Sequence, residues 1–530
     1  MSEFDYVVAG GGSAGCVVAS RLSEDPGRSV CLLEAGGRDD SAFVHCPAGV
    51  VAMVPTRLNN WAFQTVPQPG LGGRRGYQPR GRVLGGSSSI NAMIYIRGHR
   101  SDYDRWAALG NRDWSFAEVL PYFKRAEHNE QFRDELHGSG GPLNVAALRT
   151  GNPFQERFVA AAEQVGLKRN ADFNGTEQEG VGAYQVTQKD GERCSAAKAY
   201  LTPYLSRPNL RVITGAAARR VVLEGGRAVG VELEQGGARQ MLRARREVIV
   251  SAGALQSPQL LMLSGIGDGE ALRRHGIAVV RHLPGVGRNL QDHIDYLLCY
   301  RSGSNELFGL APAFALRFLK YLKLYREERR GMLTTNYAEA GGFVKSEPAQ
   351  PLPDLQLHFM IAMAENHART PVFGMGFGCH VCVLRPKSVG HLELASADPR
   401  AAPLIDPGFL TERADVETLI RGFRLARRIL EAPALAPFRG EPLRTARVHT
   451  DEEIERELRR RCDTLYHPVG TCRMGTDDHA VVDPELKVRG VDGLRVVDAS
   501  VMPTLIGGNT NAPTIMIGEK AADLIRGRGA

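Results

Sequence analysis

The chain has 530 residues, with 66 Lys+Arg against 59 Asp+Glu and a formal net charge of +7. That length excludes a single small core, and so mild a basic balance excludes a nucleic-acid binder that works by charge. Glycine stands out at 60 residues, roughly 11% against a typical usage of about 7%. Proline use is ordinary, so the excess points to backbone positions that need positive φ or close approach.

Tyr6-Val7-Val8-Ala9 reads as a buried strand, Gly10-Gly11-Gly12-Ser13-Ala14-Gly15 as a turn, and Cys16 to Leu22 as a small-residue helix. Val30 to Leu33 reads as a second strand, ending at Glu34. This is a β-α-β unit with G-x-G-x-x-G and a following acid. Gly10 would make the tight turn, Gly12 would let a pyrophosphate approach the backbone, and Gly15 would let helix and strand pack closely. The helix N-terminus offers unpaired N–H groups to phosphate. Glu34 would accept hydrogen bonds from a ribose diol. The unit predicts dinucleotide binding and leaves NAD and FAD both open.

A second glycine cluster runs from Arg80 to Asn91, and a third from Gly253 through Gly265-Ile266-Gly267 to Gly285-Val286-Gly287. Leu210 to Thr214 and Ala228 to Leu233 read as strands of a meander. Ser257 to Leu263 reads as a helix, with Ser257 as its N-cap and Pro258 at its first position. Residues 100–130 are helical in pattern, 353–395 alternate as strands, and 411–432 and 450–462 read as charged amphipathic helices. Leu494 to Ser500 returns to strand, and Ala512 to Ile525 forms a last helix.

The fold class expected is therefore α/β, with an α+β second domain. A Rossmann-like nucleotide-binding domain takes discontinuous segments, 1–150, 208–298 and 485–530. A substrate domain with an antiparallel sheet and flanking helices takes 151–207 and 299–484. No run of about 18 apolar residues predicts a membrane span. The opening residues lack a leader pattern, and nine scattered cysteines do not suggest a disulfide framework. The cytoplasm is the expected compartment.

The candidate chemistry lies late in the chain, in His467-Pro468-Val469-Gly470-Thr471-Cys472-Arg473-Met474-Gly475 and in Asn509-Thr510-Asn511-Ala512-Pro513-Thr514. Together with Gly81 to Asn91 and Gly253 to Gly267, these motifs resemble those of the glucose–methanol–choline (GMC) oxidoreductases, over essentially the whole chain. Within that family the chain looks closest to bacterial medium-chain aliphatic alcohol dehydrogenases, with choline dehydrogenases as near relatives. The resemblance implies FAD rather than NAD. It implies His467 as the acceptor of an alcohol's proton and Asn511 as the residue that holds the alcohol oxygen, with hydride passing to flavin N5.

The resemblance also implies contacts to FAD. Gly10, Gly12, Ser13, Ala14, Gly15, Glu34 and Ala35 would meet the ADP half, with Trp61 and Ala218 beside the adenosine. Arg82, Val83, Gly85, Gly86, Asn91, Ala92, Met93 and Ile94 would line the pyrophosphate and isoalloxazine. Ala252, Gly253, Asp498, Ala499, Asn511, Pro513 and Thr514 would close the site. Some members bind FAD covalently through a His immediately before the Asn; here that position is Ile90, so noncovalent FAD is expected. The same scaffold also supports oxidases that use O₂, choline dehydrogenases and hydroxynitrile lyases, which stand as alternatives.

Other features carry less. Cys379-His380-Val381-Cys382 lies in an apparent strand, where residues three apart point to opposite faces, so no metal is expected. Ser87-Ser88-Ser89 lacks the G-x-S-x-G elbow of a hydrolase. Residues 307–330 form a basic amphipathic pattern. Phe314, Phe318, Tyr321, Leu322 and Tyr325 fall on one face, and Arg317, Lys320, Lys323 and Arg326 on the other. Two readings are open: a helix packed over the substrate entrance, or one resting on a membrane, where a quinone acceptor would be met.

Overall fold

The structure is a computed structural model and describes residues 2–527. Two seven-stranded sheets organise it. In the first sheet the spatial order is Leu210–Ile213, Val30–Leu33, Ser2–Ala9, Ala238–Val250, Arg227–Gln235 and Ala216–Glu224, with Leu494–Val496 also on Ala238–Val250. Strands Leu210–Ile213, Val30–Leu33, Ser2–Ala9 and Leu494–Val496 run parallel, with register Val7 to Cys31 and Val7 to Val248. Both faces of these strands are covered, which is why Val30–Leu33 is buried throughout and reads as an unbroken apolar run. The meander Ala216–Glu224, Arg227–Gln235, Ala238–Val250 is antiparallel.

Helix Ser13–Leu22 packs on the last helix, Asn511–Arg526. Gly518 permits the approach: a Cβ there would lie 2.9 Å from Val17 Cβ and 3.1 Å from Ala14 O. The buried carboxylate of Glu519 then gathers Arg21, Arg125 and Tyr200 at 2.7–2.9 Å. Ala9, Leu33, Ile213, Val250 and Val496 all end their strands at the same edge of the sheet, the carboxyl edge where open α/β sheets bind ligands.

The second sheet is antiparallel, in the order Asp463–Thr464, Ile294–Ser302, Gly374–Val383, Leu355–Met360, Ala338–Val344, Gly180–Ala183. Strand alternation divides its residues. Tyr296, Leu298 and Tyr300 join the core under helix Arg413–Leu430, where Tyr296 meets Phe423 at 5.3 Å. Asp295, Leu297 and Cys299 face the cavity, which Tyr296 also reaches. The strand Ile294–Ser302 crosses residue 298, where the sequence places a domain boundary.

Three expectations change. The helix expected from Ser257 begins at Gly253 and ends at Leu263, with Pro258 inside it. Gly253 takes φ +84°, and its N–H goes to Asp498 Oδ2 at 2.9 Å. Ser257 accepts from Ala252 N and donates to Asp498 Oδ2, so it is not a cap. Pro258 leaves the carbonyl of Ala254 without its helical partner, and the Thr471 hydroxyl takes it at 2.6 Å.

Second, most of the third glycine cluster lies off the cavity. Cβ atoms at Gly265, Gly285 and Gly287 would lie 2.4, 2.0 and 2.3 Å from the carbonyls of Ala278, His479 and Leu392. These glycines, with Gly267, stay off the cavity and let chain meet chain.

Third, residues 307–330 are only partly helix. Leu307 and Phe308 are buried, Gly309–Leu310 pairs as a short strand, and the helix is Pro312–Glu328. Phe314, Tyr321, Leu322 and Tyr325 pack on the second core, but Phe318 is turned out, together with Leu316 and Leu319. Among the described residues, no helix is long and apolar enough to cross a membrane.

Candidate active site

A cavity of about 860 Å³ runs from the carboxyl edge of the first sheet to the inner face of the second. At the first end the walls are mostly backbone. Gly10 has φ +116°, and a Cβ there would lie 2.4 Å from Ser251 O. Gly12 faces the cavity with nothing nearer than Ser251 O at 3.8 Å, while a Cβ on Gly15 would lie 1.9 Å from Gly10 O. Gly86 has φ +56° and would press a Cβ to 2.7 Å from Gly12 Cα, so the first two glycine clusters touch.

Glu34 closes this end. Its Oε2 accepts from Gly11 N at 3.0 Å and its Oε1 from Gly36 N at 2.7 Å. Each oxygen keeps a lone pair for a further donor. Burial pushes its carboxyl up to about 7, against these two N–H donors.

Asp498 is buried and spans Gly253 N, Ser257 Oγ and Ser500 N at 2.9, 2.5 and 2.8 Å. The three serines of Gly86–Ser89 are spent on backbone. Ser87 Oγ accepts from Gly81 N, Ser88 Oγ donates to Gly85 O, and Ser89 Oγ donates to Leu84 O. Behind them Arg193, 1% exposed, donates to Val44 O, Ser88 O, Asn91 O and Asn91 Oδ1. With no carboxylate beside it, burial pulls this guanidinium down to about 9.

At the other end His467 is buried on a loop that the run Asn289 to His293 braces. Asp292 Oδ1 accepts from His467 N at 2.8 Å, and Asp292 Oδ2 takes Gln78 Nε2 and Thr464 Oγ1. Burial raises Asp292 to about 6. Asn289, at φ +62°, donates to Gly470 O and Pro503 O, and Gln291 Oε1 accepts from Leu505 N.

His467 Nδ1 lies 2.9 Å from His293 Nδ1, with the rings 87° apart, and His467 Nε2 lies 3.3 Å from Asn509 Nδ2. Burial, then His293, His358 and Arg80, hold His467 well below the usual imidazole value. His358, also facing the cavity, has neither ring nitrogen paired, and burial holds it low as well.

Of the residues singled out in the sequence, the cavity is lined by His467, Asn511, Gly10, Gly12, Ser13, Ala14, Glu34, Ala35, Trp61, Gly86, Asn91, Ala92, Met93, Ile94, Ala218, Ala252, Gly253, Asp498, Ala499 and Thr514. Five do not line it. Gly15 serves helix packing, and Arg82 lies over the Trp61 ring at 4.6 Å. Val83 is wholly buried, Gly85 N donates to Gly11 O, and Pro513 sits in the first turn of the last helix.

Asn511 and His467 share the cavity, but it is Asn509 that meets His467; Asn511 Oδ1 accepts from Ser13 Oγ at 2.8 Å. Sequence reasoning gave no role to Asn509 within its motif and missed His293, Asp292, His358 and Arg193. The only signal for two of them was a cluster of polar residues around one leucine, Asn289-Leu290-Gln291-Asp292-His293. Among the described residues no cluster could hold a metal, and Cys379 and Cys382 are free and buried in one strand.

The GMC oxidoreductase family pattern matches residues 4–295 and 386–518. The chain is 48% identical over 526 residues to an alcohol dehydrogenase [acceptor] of Pseudomonas putida, covering 98% of this chain and 95% of that protein. It is 46% identical to the mitochondrial choline dehydrogenase of Mus musculus, covering 100% and 90%. It superimposes with a TM-score of 0.91 on an Aspergillus oryzae formate oxidase, solved in connection with FAD modification, at 26% identity over 99% and 98% of the two chains. The chain belongs to the GMC oxidoreductase family. Family and structural neighbours together support FAD as the group this cavity takes. The residues present fit it: a glycine cradle with open space at Gly12, a helix N-terminus at Ser13, and an acid with lone pairs to spare.

Proposed function

We propose that this protein oxidises a primary aliphatic alcohol to the aldehyde and passes the electrons to a quinone or another acceptor that is neither NAD nor O₂. The observation that carries the reading is His467, a buried imidazole held neutral on the same cavity as the glycine cradle. FAD, when bound, would supply a hydride acceptor at N5. His467 Nε2 would accept the hydroxyl proton, a task for which a neutral imidazole is suited. Asn511 and Asn509, both on the cavity, would orient the alcohol oxygen. His467→Ala should slow anaerobic flavin reduction by about 10²–10⁴-fold with FAD still bound; near-normal reduction would sink the reading.

Among the described residues, the outer part of the cavity offers choline no unpaired acid, one of the groups that hold a quaternary ammonium. Each carboxylate on the outer part of the cavity already has a basic partner. Asp295 pairs with His380, Glu365 with Arg444 and Arg461, and Asp463 with Arg74 and His367. Leu297, Met360 and Met363 offer apolar wall between them. Anaerobic reduction across alcohols from short to long, with choline alongside, tests this, and faster reduction by choline would overturn it. Reoxidation by O₂ against a ubiquinone analogue separates dehydrogenase from oxidase, and absence of flavin bleaching by any alcohol would favour a lyase.

FAD would be held noncovalently, because Ile90 offers only hydrocarbon at the cavity. Flavin staying with acid-precipitated protein would contradict this.

The helix Pro312–Glu328 supports contact with the inner face of the cytoplasmic membrane. Leu316 and Leu319 are 83% and 75% exposed. Leu310, Phe318 and Phe373 are exposed at or beside the same helix, and Leu310 pairs with Phe373. Arg317, Lys320 and Lys323 are interleaved with them, the composition that anionic lipid attracts. Co-sedimentation with phosphatidylglycerol vesicles should be lost in Leu316→Ser/Leu319→Ser; equal binding by the variant would exclude this face.

A further inference from the structure

His293 is wholly buried and touches nothing that would be substrate, yet it determines which nitrogen of His467 is free. Its Nε2 lies 3.0 Å from the carbonyl of Leu384 and its Nδ1 lies 2.9 Å from His467 Nδ1. A carbonyl can only accept, so His293 Nε2 carries a hydrogen. Burial pulls His293 down to about 4, so near neutral pH the ring has one hydrogen and no more. His293 Nδ1 is then a bare acceptor, and the hydrogen between the two rings belongs to His467. That leaves His467 Nε2 bare, at 3.3 Å from the amide nitrogen of Asn509 and open to the cavity.

We propose that His293 is the positioning residue that fixes His467 in the Nδ1–H tautomer, through a carbonyl–imidazole–imidazole chain from Leu384, so that Nε2 is the atom ready to receive a proton. The inference rests on the reading of His467 as proton acceptor. An unconstrained histidine prefers its hydrogen on Nε2, the arrangement that would leave no base on the cavity. When the alcohol O–H bond breaks and the Nε2–H bond forms, His467 becomes an imidazolium. Its Nδ1–H bond to His293 is kept throughout, so no partner has to turn. Asp292 assists by holding the His467 backbone N–H at 2.8 Å, which sets the ring's position but not its tautomer.

Two variants separate tautomer control from simple packing. His293→Leu removes both ring nitrogens, whereas His293→Asn keeps an acceptor near the place of Nδ1. The leucine variant should lose about 10–100-fold in kcat and in anaerobic flavin reduction, with KM for the alcohol little changed. The asparagine variant should recover most of that loss.

The groups facing the pair are His358, Arg80 and Arg385. They remain in both variants, so a shift of the acid limb of kcat in His293→Leu reads the lost imidazole alone. ¹⁵N NMR of the histidine-labelled wild-type holoenzyme reads the tautomer directly and needs no variant to fold. It should report Nδ1–H at His467. A hydrogen on Nε2 there, or wild-type kcat and acid limb in His293→Leu, would overturn the proposal. If His467→Ala reduces flavin normally, the reading of the base fails on its own, and the NMR result still decides what His293 does.

Discussion

At one end of the cavity Gly10, Gly12, Gly86 and Gly253 present backbone; at the other His467, Asn509 and His358 present side chains. The first end needs few residue types, because close approach and positive φ leave only glycine. The second end is assembled from a loop after Thr464, the segment before the last helix and a central strand of the second sheet. A backbone site is rigid by exclusion, since nothing else fits. A side-chain site is held by hydrogen bonds and can be lost one bond at a time.

Gly15→Val would break the first end most completely. A Cβ there already meets Gly10 O at 1.9 Å, so helix and strand must part. The expected outcome is protein without FAD or no soluble protein, read from flavin absorbance and thermal melting; a flavin-bearing variant of normal melting temperature would show the cradle to be softer than drawn.

Acid should break the second end. His293, His358 and His467 all lie below their unfolded value of 6.5, so each is kept neutral in the fold and takes up a proton more readily when unfolded. The stability they contribute is present above pH 6.5 and is lost as pH falls below it. At pH 5 the loss is on the order of 2 kcal/mol for His293, whose folded value is about 4, and in the same direction for His358 and His467. Denaturant titrations at pH 7 and pH 5 check this, and the triple replacement of these histidines by leucine should flatten the difference.

The smallest effect concerns Glu34. Its carboxyl stands near 7 when no ribose is present, and hydroxyl donors would favour the ionised form. FAD affinity should therefore hold above pH 7 and weaken below it, by up to about tenfold per pH unit. Glu34→Gln should weaken binding at pH 8 by about 1–2 kcal/mol and remove most of that pH dependence. Calorimetry in buffers of different ionisation enthalpy would detect the proton released.

The same contrast explains what the sequence made legible. Gly10, Gly12, Gly15 and Glu34 are close together in the chain, and each needs one residue type for one local reason. The α/β class followed from apolar runs such as Val30–Leu33. His467 became visible through family resemblance, not through its own surroundings. Its partners could not be read, because Asp292 and His293 reach it across some 174 residues and Asn509 across 42. The start of the helix at Gly253 was hidden for a similar reason: the residue that takes its N–H is Asp498. Phe318 was misplaced because helical periodicity ranks faces by hydrophobicity, and here the outward face carries leucines as well.

The contact between Ser13 and Asn511 joins residues 498 positions apart. The helix that begins at Ser13 is therefore completed by a segment synthesised 498 residues after it. During synthesis the first β-α-β unit must wait, with its glycine loops exposed, until the closing helix arrives. Cofactor capture would in this sense wait for residue 511, and a chain interrupted before it would have the nucleotide fingerprint without the partner of Ser13.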